Sequence, residues 1–559
     1  MAAAVEAACV LRAPVDADER SGGGAPARIV VFEADDERVG RSILATGNGR
    51  CNFSNAAVDP GLYRNGAFVA ATLDALGGLR HTGSGGLADS SAMAASGGLR
   101  LANRAAASAA LVELGSAAKV GADDDPVHGF FADLGLMWRE EAEGRLYPLA
   151  NKASSVLDVL RSAAEALGVE FRCAHRAIRV DAPEHPGDRF HIRFADGSIE
   201  HAEAVVVAVG GRAAAHVALP AHLACGEMRP VLGPLRTDNR ITRQLNNIRV
   251  RCAVALLRRD VEGARSEGCE PERLVARERG ELLFRDYGVS GVAVFNLSRH
   301  ALEGDELAID FLPDVPEGDV AGFLAERARR MGRVLGEQPS AERLCDGLLL
   351  PRVAEAVLHE AGVHPQAVLG KREMARLGAQ LKGLRLSVLG IGDERQCQVM
   401  RGGFPVGAFR AGTCEARDLP GLFVAGEALD VDAPCGGYNL HWAWASGIVA
   451  GGEVARRWFA EGCCLRRGAG GAGCGGRGKA VPRSADNSSE PADGAGLRNG
   501  ARKARSGAGR AGDGPRPAAG HRHGGNGGGK RVGGHRGDDA PNGRTSRGRH
   551  SSRSKHKSR

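Results

Sequence analysis

The stretch from Leu419 to Gly447 constrains the fold more than any other part of the sequence. Leu422-Phe-Val-Ala425 is a short apolar run typical of a buried parallel strand, and it leads directly into Gly426-Glu427. Gly436-Gly437 then precedes a predicted helix from about residue 440 to 458. Ligands of α/β sheets bind outside the carboxyl ends of strands, and the free N–H groups at a helix start face anions. This order predicts an α/β fold with a crevice for an anionic ligand.

An earlier segment, residues 29–55, has the features of a nucleotide site. A predicted strand at 28–33 ends in Glu33, whose carboxylate is suited to accept hydrogen bonds from ribose hydroxyls. Glycines at 40, 47 and 49 allow the backbone to approach a phosphate or a flat ring closely. Arg50 would neutralise a phosphate or a reduced flavin anion. An ordinary buried strand that ends in a solvated acid is the alternative interpretation of this segment alone.

Both segments belong to longer motifs, and together they are similar to a known family. The sequence resembles the HI0933-like flavoproteins, also called aminoacetone-oxidase-like or BaiN/RdsA-type NAD(P)/FAD-dependent oxidoreductases. The matching blocks span roughly residues 28–455, in the family's order: Val39–Asn52, Gly144–Pro148 with Lys152-Ala153, Ala208–Gly211, Gly280–Gly291, Gln398-Val399 with Gly402-Gly403, and Ala425–Asn439.

The resemblance implies a discontinuous, glutathione-reductase-like, Rossmann-type α/β domain that binds FAD and NAD(P). Its two parts, 1–211 and 386–460, would be separated by an inserted β-barrel and helical domain at 212–385. A loose Gly/Ala/Ser-rich insertion is expected at about 77–121. The implied cofactor is non-covalent FAD, with NAD(P)H as a candidate electron donor. The implied cofactor-binding positions are Glu33, Gly40, Arg41, Gly47, Gly49, Arg50, Asn52, Gly210, Gly211, Gly426, Glu427, Asp430, Asp432, Gly436, Gly437, Tyr438 and Asn439. Loop solvation is the alternative interpretation of Asp430 and Asp432.

The sequence departs from the family pattern at its start. The family begins with a strand and a GxGxxG turn ahead of an Ala-rich helix, whereas residues 1–12 already resemble that helix. Gly22-Gly23-Gly24 is no substitute, because it precedes a strand instead of following one. A start codon assigned too late, or a truncated chain, would explain the difference. A chain that truly begins at Met1 is expected to bind FAD weakly or not at all and to lack a central strand.

Charge divides the 559 residues into two unlike parts. Residues 471–559 hold 20 Lys+Arg against 6 Asp+Glu, a net charge of +14, whereas the first 470 residues carry −7. The same segment has 23 glycines and no Phe, Tyr or Trp, so we predict a disordered tail at 461–559. Nucleic acid would bind only through this tail, and a solvated extension without a function is the alternative.

Cysteine usage and hydropathy bear on the compartment. The 13 cysteines include no CxxC pair, which indicates a reducing compartment and gives no reason to expect a metal site. With no apolar run long enough to span a bilayer, we expect a cytoplasmic protein without a membrane partner. Cys51 and Cys435 are either redox-active or buried and inert. His441 either donates protons near the flavin or packs a helix.

The sequence therefore predicts an FAD-dependent oxidoreductase that is reduced by NAD(P)H and passes electrons to a small organic acceptor or to oxygen. The alternative is a degenerate, non-catalytic flavoprotein fold with a basic tail that tethers it to nucleic acid. No catalytic side chain, substrate or oligomeric state is indicated by the sequence.

Overall fold

The structure is a computed structural model that describes residues 1–12, 27–84, 125–185, 187–259 and 272–469. Its helices are α1 Ala2–Arg12, α2 Arg41–Ala45, α3 Gly66–Ser84, α4 Pro126–Asp133, α5 Ala153–Ala166, α6 Gly211–Ala214, α7 Val292–Ser298, α8 Val320–Leu335, α9 Ala341–Cys345, α10 Pro351–Glu360, α11 Lys371–Gly383 and α12 Tyr438–Ala469.

The strands are β1 Val30–Phe32, β2 Ser54–Asn55, β3 Trp138–Glu141, β4 Arg145–Pro148, β5 Glu170–Arg172, β6 Ala177–Asp181, β7 Phe190–Phe194, β8 Ile199–Ala202, β9 Val205–Val207, β10 Arg229–Val231, β11 Leu235–Thr237, β12 Arg249–Arg259, β13 Glu272–Arg285, β14 Gly288–Ser290, β15 Glu306–Asp310, β16 Leu384–Ile391, β17 Val399–Arg401 and β18 Leu422–Val424.

The part expected to bind a nucleotide is built on parallel strand pairs. β1 pairs with β5 and β9 pairs with β18, each over three residues. Within the described ranges the two pairs are not hydrogen-bonded to each other. The predicted strands at 28–33 and 422–425 are thus confirmed.

Helix α1 packs closely against α12. A Cβ atom at Gly451 would lie 2.2 Å from the carbonyl oxygen of Ala3, so only glycine allows the two backbones to approach this closely. Ala2, Val5 and Ala8 share one apolar core with Ile448 and Val449 of α12. The predicted Ala-rich helix at the start of the sequence is therefore present, and it is anchored by packing.

The inserted part contains the predicted β-barrel. Its closed strand order is β11-β14-β13-β12-β15-β16, and every pair is antiparallel. Helices α8 to α11 pack on the barrel in one continuous apolar core. The last barrel strand runs to Ile391, beyond the expected boundary at residue 385, because the barrel closes only when β16 pairs with β11.

Three further sequence predictions meet the described residues. The hairpin expected at 189–209 is present as β7 and β8, with Gly197 in the left-handed region at its turn and β9 following. The loose insertion was expected at about 77–121, but α3 continues to Ser84; positions 85–124 lie outside the described residues. Likewise α12 continues beyond its expected end at about residue 458 and reaches Ala469, since Ala, Leu and Arg favour continued helix. The rest of the expected tail, residues 470–559, lies outside the described part.

No helix in the described part of the chain is both long enough and apolar enough to cross a bilayer.

Candidate functional site

The two motif segments, residues 40–55 and 426–441, meet in the structure. Asn55 Nδ2 donates to the carbonyl of Gly436 at 3.0 Å, and Trp444 Nε1 donates to that of Phe53 at 3.0 Å. Gly437 has φ +101°, and a Cβ atom there would lie 2.2 Å from the carbonyl oxygen of Ser54. This crossing therefore requires glycine, which explains why a Gly-Gly pair precedes α12.

Glu33 stands where the ribose-binding acid was expected, at the carboxyl end of β1. Its Oε1 accepts a hydrogen bond from the backbone N–H of Asp35 at 3.0 Å. It also lies near enough to the start of α1 for its charge to act on the Met1 ammonium. The loop that follows is closed by a 2.7 Å ion pair between Asp35 and Arg41, so Arg41 is engaged by a neighbouring acid.

Arg50, which was expected to neutralise a phosphate or a reduced flavin, is engaged by protein partners. Its guanidinium pairs with Glu141, donates to Asn151 Oδ1 at 2.6 Å and lies 4.1 Å from the centre of the Tyr147 ring. The acceptors are 91 and 101 residues away, so spacing could not reveal them. Arg50 therefore holds the loop before β2 against β3 and the start of α5.

The side-chain oxygen of Asn52, Oδ1, is a buried acceptor without a hydrogen-bond donor among the described residues. The same atom lies 3.0 Å from the position that a Cβ at Gly437 would take. Gly47 and Gly49, on the same loop, have φ of 56° and 82°. A buried carbonyl oxygen costs free energy unless a donor satisfies it, so a ligand donor fits this position.

Gly210-Gly211 and Gly426-Glu427 lie side by side at the carboxyl ends of β9 and β18. A Cβ at Gly211 would be 3.3 Å from the carbonyl oxygen of Glu427, and Gly426 has φ +69°. Burial, reinforced by the charge of Asp432, raises the pKa of Glu427 to about 7. The expected acid of the second segment is therefore present at a strand end, in an environment that partly disfavours its charge.

Asp432 joins the barrel to the nucleotide-binding part instead of facing an open site. It accepts from Arg299 Nε at 2.8 Å and from Arg401 Nε and Nη2 at 2.8 and 2.7 Å. Burial alone would raise the pKa of this carboxyl, but the hydrogen bonds and charges of Arg401 and Arg299 outweigh it and hold the pKa below its ordinary value. All three side chains are buried or nearly so.

The remaining predicted positions shape the loop ahead of α12. Asp430 accepts from Arg64 Nε at 2.8 Å and from the Gly402 backbone N–H at 3.0 Å. Asn439 accepts from the Ala433 N–H and donates to its carbonyl, both at 2.9 Å, which closes the loop on itself. The Tyr438 carbonyl accepts from Tyr63 at 2.9 Å. Gly40, in the earlier motif segment, has φ +78°, and a Cβ atom there would collide with the side chain of Leu157.

A buried cluster beside this loop was not predicted as a unit. Ser54, Asp125, His128 and His441 come together although only His441 was singled out in the sequence. Their separation along the chain, up to 387 residues for one hydrogen-bonded pair, leaves no spacing signal to find.

Comparison with known proteins identifies the family. The HI0933-like protein Rossmann domain matches residues 121–453, which is more than half of the chain. The chain belongs to the HI0933-like family. Its fold is accordingly a Rossmann-type FAD-binding domain with an inserted six-stranded barrel and helices, and the protein is a flavin-dependent oxidoreductase.

Two curated relatives of this HI0933-like protein cover most of its length. The 3-dehydro-bile acid delta(4,6)-reductase of Clostridium scindens is 28% identical over 451 residues, 77% of this chain and 93% of the relative. The ribosomal RNA dihydrouridine synthase of Escherichia coli is 26% identical over 443 residues, 76% and 91% of the two chains.

Solved structures are more distant. A flavocytochrome c3 fumarate reductase in its open conformation is 13% identical, with 81% of this chain and 76% of the other covered and a TM-score of 0.29. A 3-ketosteroid-delta4-(5alpha)-dehydrogenase from Rhodococcus jostii RHA1 is 14% identical, with 81% and 94% covered and a TM-score of 0.31. Likenesses at this level carry no argument about the site.

Proposed function

We propose that this FAD-dependent oxidoreductase takes electrons from NAD(P)H and reduces a carbon–carbon double bond in a small organic acceptor. The observation that carries the proposal is the meeting of the two motif segments at Gly437, with acids Glu33 and Glu427 at two strand ends and the Asn52 carbonyl oxygen awaiting a donor. These groups have the chemistry of an FAD cradle, because each suits a hydroxyl, amide or phosphate group of that cofactor.

Each part of the cradle has a distinct task. Glu33 would accept hydrogen bonds from ribose hydroxyls, and Glu427, whose pKa is about 7, would exchange hydrogen bonds with the ribityl chain. Gly436 and Gly437 bring the first N–H groups of α12 to an anionic edge. Bound FAD supplies the two-electron chemistry, while the protein holds and orients it. Asp430, Asp432, Asn439, Arg41 and Arg50 act indirectly, by fixing the loops that carry these groups.

The choice of acceptor rests on the relatives. The name of one describes a reductase that acts on a 3-dehydro-bile acid, and the name of the other describes the synthesis of dihydrouridine in ribosomal RNA. Both names denote reductions that saturate ring double bonds. Oxygen is the competing acceptor, since reduced flavins react with it.

The test uses the full chain with added FAD, so that a low affinity does not hide the result. Anaerobic NADH or NADPH is expected to bleach the visible flavin band, and an unsaturated ring ketone is expected to restore it faster than buffer alone. Gly437→Ala should lose FAD binding, whereas Gly407→Ala, which meets nothing within 4 Å, should keep it. Failure of both nicotinamides to bleach bound flavin contradicts the donor, and recovery only with oxygen contradicts the acceptor.

The second candidate function, a non-catalytic fold tethered to nucleic acid, rests on the +14 charge of residues 471–559. It requires salt-dependent retention of RNA that disappears when 471–559 are deleted, together with no flavin uptake. Flavin uptake with NAD(P)H-dependent bleaching excludes it, because a degenerate fold would show neither.

A further inference from the structure

A polar cluster lies within the aromatic core behind the flavin motifs. Asp125 and His128 stand at the beginning of α4, His441 in the first turn of α12 and Ser54 on β2. The two histidines are each 1% exposed, and the His128 ring packs against Phe53 and Trp138. Burying polar groups in such surroundings costs free energy unless they form hydrogen bonds with one another or bind an ion.

Each imidazole ring has one nitrogen beside Ser54 and the other facing Asp125. Ser54 Oγ lies 2.7 Å from His128 Nε2 and 2.8 Å from His441 Nδ1. The opposite nitrogens, His128 Nδ1 and His441 Nε2, face Asp125 Oδ1 and Oδ2 at 4.0 and 3.6 Å. Two ring nitrogens and a carboxylate therefore converge, with all the ligand atoms within 4.8 Å of one another.

Ser54 can set both rings in a ligand-ready state. Its Oγ can accept an N–H from each ring, while its own hydrogen is directed to the carbonyl of Asn55 at 3.5 Å. In that arrangement both rings turn a lone pair toward Asp125. Outer-shell groups that accept the second N–H of a histidine are a regular feature of metal sites, because they fix the tautomer and the ring orientation.

The spacing fits an ion better than a direct hydrogen bond. Distances of 3.6 and 4.0 Å exceed the range of an N–H···O bond. Ligands about 2.0–2.2 Å from a tetrahedral zinc ion lie about 3.4 Å apart, so the three ligand atoms, within 4.8 Å of one another, would have to draw closer together around a bound ion. Asp125 is held in place, since its Oδ1 accepts from the backbone N–H groups of Val127 and His128 at 2.8 and 3.2 Å.

We infer that Asp125, His128 and His441 bind a divalent metal ion of the zinc type, with water as the fourth ligand. Imidazole and carboxylate are ligands that Zn²⁺ accepts readily. Asp125 is 23% exposed at its side chain and gives the ion a route from solvent. Binding would tie α4 to α12 and so brace the core behind Gly437. The rival occupant is a proton shared as an imidazolium–carboxylate pair, which needs no metal.

The test measures zinc directly. The full chain is stripped with a chelator, dialysed against Zn²⁺ and assayed for bound metal by mass spectrometry and for thermal stability. Asp125→Asn is the first variant, because Asn caps a helix as well as Asp does and the fold is kept while the ligand charge is lost. His441→Gln removes a nitrogen ligand, and His359→Gln, whose side chain is 81% exposed, is the matched control.

The wild type and His359→Gln are expected to bind one more equivalent of zinc than either site variant. They should also gain thermal stability on adding zinc. The affinity of Asp125→Asn should fall by more than about 10-fold, since even outer-shell partners are worth 10–100-fold. Equal zinc content in all four proteins overturns the inference. A thermal stability of the wild type that does not respond to zinc, and that the cluster raises only as the pH falls, overturns it as well.

Discussion

The Asp432 cluster offers the sharpest test of how the barrel is joined to the nucleotide-binding part. Asp432 is 0% exposed and accepts three charge-assisted hydrogen bonds from Arg299 and Arg401. Arg401 contributes two of them as a fork. Asp432→Ala would leave two buried guanidinium groups without their counter-ion, and removing one partner of a buried pair costs about 3–5 kcal/mol. We expect a loss of about 4 kcal/mol in the free energy of unfolding.

The measurement is urea unfolding, monitored with one signal from the barrel and one from the nucleotide-binding part. Two transitions that do not coincide would reveal a loss of two-state behaviour. Asp314→Ala is the matched control, because Asp314 also pairs with an arginine but has a side chain that is 86% exposed. The control should change stability little, since exposed ion pairs are screened by water. A loss below about 1 kcal/mol for Asp432→Ala would show that the cluster does not hold the junction.

The same cluster predicts a pH dependence with a definite sign. Because the folded-state pKa of Asp432 lies below its ordinary value, the unfolded state takes up a proton first as the pH falls. Its contribution to stability is therefore complete above the unfolded pKa of about 3.9 and is lost as the pH falls through the folded value. Asp432→Asn should remove this part of the acid sensitivity. An unchanged acid limb would contradict the assignment.

Three further results are expected. Glu427→Gln should raise the urea midpoint of the FAD-free protein at pH 8 but not at pH 4. The folded-state pKa of Glu427, about 7, lies above the ordinary pKa of a glutamate, so ionising this carboxyl destabilises the fold as the pH rises from that ordinary pKa through 7. Equal effects at both pH values would refute this. Gly437→Ala should lower the midpoint more than Gly407→Ala does, since its Cβ would lie 2.2 Å from a backbone carbonyl and its φ is +101°. Cys51 and Cys435 should resist a thiol reagent at pH 8 in the folded protein and react in urea, because burial raises their pKa values to about 11 and 12; rapid reaction of either would reopen a redox role.

The elements that the sequence predicted share a local signature. The strands ending at Glu33 and at Ala425 are short apolar runs followed at once by glycine or an acid, and the hairpin turn at Gly197 is fixed by two residues. The barrel followed from a resemblance instead of from periodicity, and the expected domain boundary at residue 385 falls within its last strand β16, whose extent depends on pairing with β11 and not on the local pattern.

The electrostatic partners could not be predicted, because they are long-range and the candidates are many. Asp432 is held by arginines 133 and 31 positions away, and Arg50 by a glutamate 91 positions away. Each acidic residue of this chain could pair with any of many arginines, and only the folded structure determines which of them lies close enough. Motif matching therefore finds where the loops are but not which of their charges are neutralised.

Glu427 and Asp432 show why this distinction matters for function. They are five residues apart in one loop, and both were assigned to the cofactor on the same resemblance. Burial pushes the pKa of Glu427 up to about 7, whereas two arginines hold that of Asp432 down. An acid poised near neutrality can both donate and accept hydrogen bonds with a hydroxyl-bearing ligand, whereas a carboxylate that already accepts three hydrogen bonds from two guanidinium groups has little acceptor capacity left. The charge of Asp432 helps to raise the pKa of Glu427, and its hydrogen bonds to the two arginines anchor the loop that carries both acids.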